Sequence, residues 1–143
     1  MLKYTVWLHL CLGAGNKRSI EAINYYKNAK NVFESNDREL SKIFTKKELE
    51  RMKNIPLGDA IRVIADCEEN GVDIICYGDS KYPYCLSVIE DAPLVLFVKG
   101  VLPDFDSIPA ICIVGPRKVS EFGKKAAYSL SFRLAAAGFT VVS

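Results

Sequence analysis

The residues best suited to chemistry lie in one run, Ala110 to Gly123, Ala-Ile-Cys-Ile-Val-Gly-Pro-Arg-Lys-Val-Ser-Glu-Phe-Gly. Its apolar start, Ala110 to Val114, reads as a fully buried strand. The run breaks at Gly115, passes through a basic loop holding Arg117 and Lys118, and restarts as a helix near Ser120. A strand end, a glycine, a loop and a helix start make a common anion seat in α/β sheets. Glycine lets the backbone approach closely, and the first helical N–H groups have no intrahelical acceptor. Arg117 adds a planar fork of donors that matches phosphate. The chemistry this predicts is phosphate binding.

Other chemistries have few residues to work with. His9 is the single histidine, and the five cysteines, Cys11, Cys67, Cys76, Cys85 and Cys112, contain no CxxC pair. That argues against a zinc site and against a Cys–His or Ser–His nucleophile system. An odd number of cysteines within apolar segments predicts free thiols in a reducing compartment. No apolar run approaches the ~18 residues of a membrane span. The Lys3–Gly15 region superficially resembles a secretory signal, but Tyr4, Trp7, Leu8, Cys11 and Leu12 repeat at helical spacing. The expectation is a cytoplasmic protein with no membrane partner, no cofactor and no metal.

Charge supports the phosphate reading. The formal net charge is +2, yet residues 116–143 hold five basic side chains against Glu121, a net of +4. The remainder, 1–115, holds 14 basic and 16 acidic residues, a net of −2. Positive charge gathered around and after the loop is the sign a phosphate-bearing partner requires.

The elements that must position this loop divide into two kinds. Residues 1–70 read as all-helical. A first helix stops near Leu12, and a second starts near Arg18 and buries Ile20, Ile23 and Tyr26. The connection Gly13-Ala14-Gly15-Asn16-Lys17 resembles a helix-hairpin-helix. Ser35-Asn36-Asp37 offers caps for a short helix burying Leu40, Ile43 and Phe44, and Thr45 and Glu48 stand in capping-box relation. Pro56 opens a helix with a stripe of Leu57, Ala60, Ile61, Ile64 and Ala65, and Gly71 falls at its left-handed cap. Trp7, Tyr25 and Tyr26 read as packing residues.

After Gly71 the period changes. Strands are predicted over Val72–Tyr77, Leu94–Val98, Ala110–Val114 and Phe139–Val142. The last two flank a helix from Ser120 to Ala137 whose apolar face is Phe122, Ala126, Ala127, Leu130, Leu134 and Ala137. Strand, helix and strand of these lengths predict a parallel βαβ unit. The fold class is α/β: a small all-helical N-terminal domain (1–70), then a parallel αβ domain (71–143).

Three fragments then occur in order. They are Asp79-x-x-Tyr82-Pro83-x-x-Leu86, then Ile89-x-Asp91-x-Pro93-x-Val95-Leu96-Phe97-x-Lys99-Gly100, then Ile113-Val114-Gly115-x-Arg117-x-x-Ser120-x-Phe122-Gly123. With the closing Leu134-Ala135-x-x-Gly138-x-x-Val141-Val142-Ser143, this succession resembles the DNA-processing protein A family (DprA, also called Smf). The resemblance covers roughly 70–143, and the helical module resembles the SAM-like N-terminal domain of some members. The resemblance implies that residues 71–143 form a partial Rossmann-like parallel αβ domain. It further implies a protein without catalytic turnover that binds single-stranded DNA and loads the recombinase RecA during natural transformation. It also implies a homodimer in the full-length protein.

Carried onto this sequence, the resemblance has Gly115 admit a backbone phosphate and Arg117 contact it. Ser120 caps the helix facing the anion, and Gly123 keeps the first turn uncluttered. Lys118 joins them on charge and position. Pro116 stands where the family has Ser or Thr, and Phe122 where it has Tyr, which removes up to three polar donors from the loop. The family also continues beyond the position of Ser143, so the expectation is a piece of a longer protein with an exposed strand edge at Phe139–Val142. Two other classes stay open. One is a nucleotide-phosphate enzyme of the phosphoribohydrolase kind, which needs a Pro-Gly-Gly segment and a catalytic glutamate not seen here. The other is a non-catalytic protein-interaction module. Tyr82-Pro83 reads as a turn and packing element.

Overall fold

Helices come first in the computed structural model, which describes residues 1–143. They are α1 (Leu2–Leu12), α2 (Lys17–Tyr26), α3 (Ala29–Glu34), α4 (Asp37–Leu40), α5 (Lys46–Asn54) and α6 (Leu57–Glu69). Helix α1 is the axis of the packing. Its Val6, Leu8 and Cys11 are fully buried and Trp7 and Leu12 nearly so. Burial of Val6, outside the expected stripe, shows the helix enclosed on more than one face, while Tyr4 of that stripe is half-buried. The Trp7 indole N–H donates to the Ile55 carbonyl at 2.8 Å, and its ring meets Phe33 edge-on at 4.9 Å. Trp7 is a core residue, as expected.

The helix ends follow their capping chemistry. Asn16 accepts the Arg18 N–H at 3.0 Å to start α2, and Asn36 accepts the Glu39 N–H at 3.1 Å to start α4. Thr45 and Glu48 complete the capping box at the start of α5. Glu48 also reaches beyond its own helix. Its carboxylate accepts from the Thr45 N–H at 2.8 Å, the Thr45 hydroxyl at 2.7 Å and the Asn16 side-chain amide at 2.8 Å. Arg18 stands 3.5 Å from the same carboxylate. One half-polar network therefore ties the α1–α2 connection to the start of α5. Gly71, with φ of +63°, turns the chain out of α6 as its position predicts.

Two details differ from expectation. Helix α3, opened by Asn28 accepting the Asn31 N–H at 2.9 Å, is absent from the sequence reading because its six residues are too few to show a period. In α6, Ile61 and Ala65 face outward, while Leu57, Ala60, Val63 and Ile64 meet the core. The stripe is rotated because Val63, rather than Ala65, takes the inward position beside Ile64.

Two compact units divide the chain, Met1–Tyr82 with Leu86–Leu102, and Pro83–Cys85 with Pro103–Ser143. In the first, β1 (Val72–Cys76) pairs antiparallel with β2 (Val95–Lys99), with Val72 opposite Lys99 and Cys76 opposite Val95. This two-stranded sheet keeps company with the helices, so the first unit runs past residue 70 to Leu102. The short helix α7 (Tyr84–Ser87) lies between the two strands in sequence.

In the second unit, β3 (Ala110–Cys112) pairs in parallel with β4 (Thr140–Val142), and α8 (Glu121–Ala136) connects them. The molecule is thus mixed α/β, with a helical N-terminal region and one parallel βαβ unit. The parallel geometry is confined to β3 and β4, since β1 and β2 form a separate antiparallel sheet. Two burial expectations are corrected here. Strand β3 is not fully buried: Ala110 and Cys112 are exposed, and Val114 just beyond is 81 % exposed. One helix and a two-stranded ribbon cover only one face. The covered face of α8 is Gly123, Ala127, Ser131 and Leu134, and Phe122, Ala126, Leu130 and Ala137 of the expected stripe are exposed.

Candidate nucleic-acid interface

The strand-to-helix turn after β3 is built from its helix cap outward. Ser120 has extended backbone, and its hydroxyl oxygen accepts the Gly123 N–H at 3.1 Å. The next N–H, from Lys124, reaches the Ser120 carbonyl at 3.0 Å. The N–H groups of Glu121 and Phe122 are left pointing out of the helix start, as helix geometry requires. Gly123 is sterically specified. A Cβ there would stand 2.8 Å from Val119 Cγ2 and 3.4 Å from Ser120 Oγ. Gly115 is not specified in this way, since a Cβ at that position meets nothing within 4 Å.

Arg117 and Lys118 are exposed and form neither ion pairs nor hydrogen bonds. Their charges are therefore available to solvent or to a ligand. Below them a cleft of about 510 Å³ is lined by Gly115, Pro116, Val119, Gly123 and Lys124, with apolar strand residues such as Ile113 and Val141. Gly115 and Gly123 thus share one cleft, while Arg117, Lys118 and Ser120 lie outside its lining. Pro116 is part of that lining and supplies no N–H there. Lys124 is its one charged side chain, a residue that sequence reasoning passed over. Its place in the first turn of α8 was the available signal, although Glu121 holds it at 2.8 Å.

The upstream motif is architectural. Asp79 accepts the Cys76 N–H at 2.7 Å, and its carbonyl accepts the Tyr82 N–H at 2.9 Å. Tyr82 is buried, donates its hydroxyl to the Pro93 carbonyl at 2.8 Å, and meets Tyr77 edge-on at 5.5 Å. It fixes the path from β1 towards β2. In the second unit, Asp106 accepts the N–H groups of Tyr84 and Cys85 at 2.9 and 3.0 Å.

Two thiols and the single histidine are shifted by burial. Burial pushes the Cys11 thiol up to about 12, against the opposing charge of Arg51. Burial, helped by Asp79, pushes Cys76 up to about 11. Neither is a thiolate near neutral pH. Burial also lowers the pKa of His9, whose Nδ1 has no partner. No group of three or more His, Cys, Asp or Glu is arranged to hold a metal ion. No helix is long and apolar enough to cross a membrane.

Comparison with known proteins agrees with the motif succession. The model of the family described as DNA recombination-mediator protein A matches residues 73–143. A curated relative, the DNA processing protein DprA of Bacillus subtilis (strain 168), is 34 % identical over 82 residues, covering 57 % of this chain. The aligned part is 28 % of that relative, so the match takes in little more than a quarter of its length. The segment that carries the Tyr-Pro turn, the βαβ unit and the basic loop is the segment that matches, and residues 73–143 belong to the DNA recombination-mediator protein A family.

Proposed function

We propose that the chain is part of a single-stranded DNA-binding accessory protein of DNA uptake and recombination, working in the cytoplasm without catalytic turnover. The observation that carries this reading is the pair of exposed, unpaired cations Arg117 and Lys118 ahead of a capped helix start. Arg117 makes the charge-assisted phosphate contact, Lys118 adds a second charge, and the α8 N-terminus favours the anion. Ser120 and Gly123 hold the turn, and Gly115 leaves room for the backbone of the strand. Pro116 makes this a seat of side-chain cations and helix N–H groups rather than a continuous loop of N–H donors. Transfer of the DNA to RecA, and a homodimer of the full-length protein, belong to the same proposal on family grounds.

The test is fluorescence anisotropy with labelled single- and double-stranded oligonucleotides at several salt concentrations. The expected result is preference for single strands and affinity that falls with salt. Arg117→Ala should weaken binding and lower the log–log salt slope by about 0.7, one phosphate contact. Salt-independent binding, or Arg117→Ala indistinguishable from the parent, would overturn the site assignment.

A further inference from the structure

We draw no further inference here: the strongest candidate, the exposed outer face of helix α8 with Phe122, Tyr128 and Phe132, is an unpartnered apolar face, and nothing in the structure shows what covers it.

Discussion

The two compact units use similar materials and reach different ends. Around α1 the chain wraps helices and a two-stranded sheet, and the buried apolar side chains, from Val6 to Val95, all belong to that unit. From Pro103 to Ser143 no side chain is fully buried, although the segment contains two strands and the longest helix. The second unit has comparable secondary-structure signals and lacks a second layer over them. Elements are specified locally by period and caps, whereas a core needs cover on every apolar face. The exposed unit also holds the free cations Arg117 and Lys118, although the first unit has exposed, unpaired cations of its own, such as Arg38 and Lys81. The buried apolar contact, and with it the larger share of stability, lies in the first unit.

The largest effects should come from truncating the buried unit. Trp7→Ala removes an indole, its hydrogen bond to Ile55 and its edge contact with Phe33, and should cost about 3–5 kcal/mol. Leu8→Ala should cost about 2–5 kcal/mol, because Leu8 has no exposed surface. Leu134→Ala, on the half-covered face of α8, should cost less than about 1 kcal/mol. Urea unfolding of the three variants measures the contrast. Equal losses would mean that the second unit possesses a core of its own, and the comparison would fail.

Acid should act next, and mainly on the first unit. Burial raises the pKa of the Glu48 carboxyl, but hydrogen bonds from Asn16 and Thr45 and the charge of Arg18 outweigh it and hold the group below its ordinary 4.5. A carboxyl lowered on folding contributes stability above 4.5 that is lost as pH falls through the folded value. His9 is lowered from 6.5 by burial, so the unfolded chain takes up its proton first. Its contribution is complete above 6.5 and is lost as pH drops from there towards the folded value. Stability of the first unit should therefore decline in two steps on acidification. Glu48→Gln should remove the lower step and cost about 1–3 kcal/mol at neutral pH through the orphaned network. His9→Phe should flatten the upper step. Denaturation midpoints across the acid range check both, and a single step unaffected by His9→Phe would contradict the upper assignment.

Legibility in the sequence follows the same division. Caps were readable because their chemistry is short-ranged: Thr45 with Glu48, Asn36 before α4, Gly71 after α6 and Ser120 before α8 all occupy the expected positions. The βαβ unit was readable from the alternation of strand and helix periods. Burial was not, because Ala110 to Val114 and the outer face of α8 are apolar whether or not anything lies over them. The antiparallel pairing of β1 with β2 depends on the Asp79–Tyr82 turn and the Tyr82 hydroxyl on Pro93, a contact across 11 positions that no local period records. At the candidate site the residue types were legible, and their grouping was not. Gly115 and Gly123 meet in a largely apolar cleft, and Arg117 and Lys118 stand outside its lining on the open loop.

The smallest effects belong to the α8 cap, and they test whether the open unit is ordered by its own local chemistry. Ser120→Ala should cost about 1 kcal/mol locally, seen as faster amide exchange at Gly123 with the global unfolding midpoint unmoved. Gly123→Ala sets two effects against each other. Alanine is favoured over glycine in a helix by about 1 kcal/mol, but its Cβ would stand 2.8 Å from Val119 Cγ2. Val119 is β-branched and has few rotamers by which to withdraw, so the loop that carries Lys118 must shift instead. In the parent background the clash should win, lowering local stability and single-strand affinity together. With Val119→Ala in place the clash disappears, and Gly123→Ala should then stabilise the first turn by up to about 1 kcal/mol. The sign reversal across this double-mutant cycle is the diagnostic result. Gly123→Ala that stabilises in both backgrounds would show that the close approach of Val119 does not constrain the turn, and that the loop's geometry is set elsewhere.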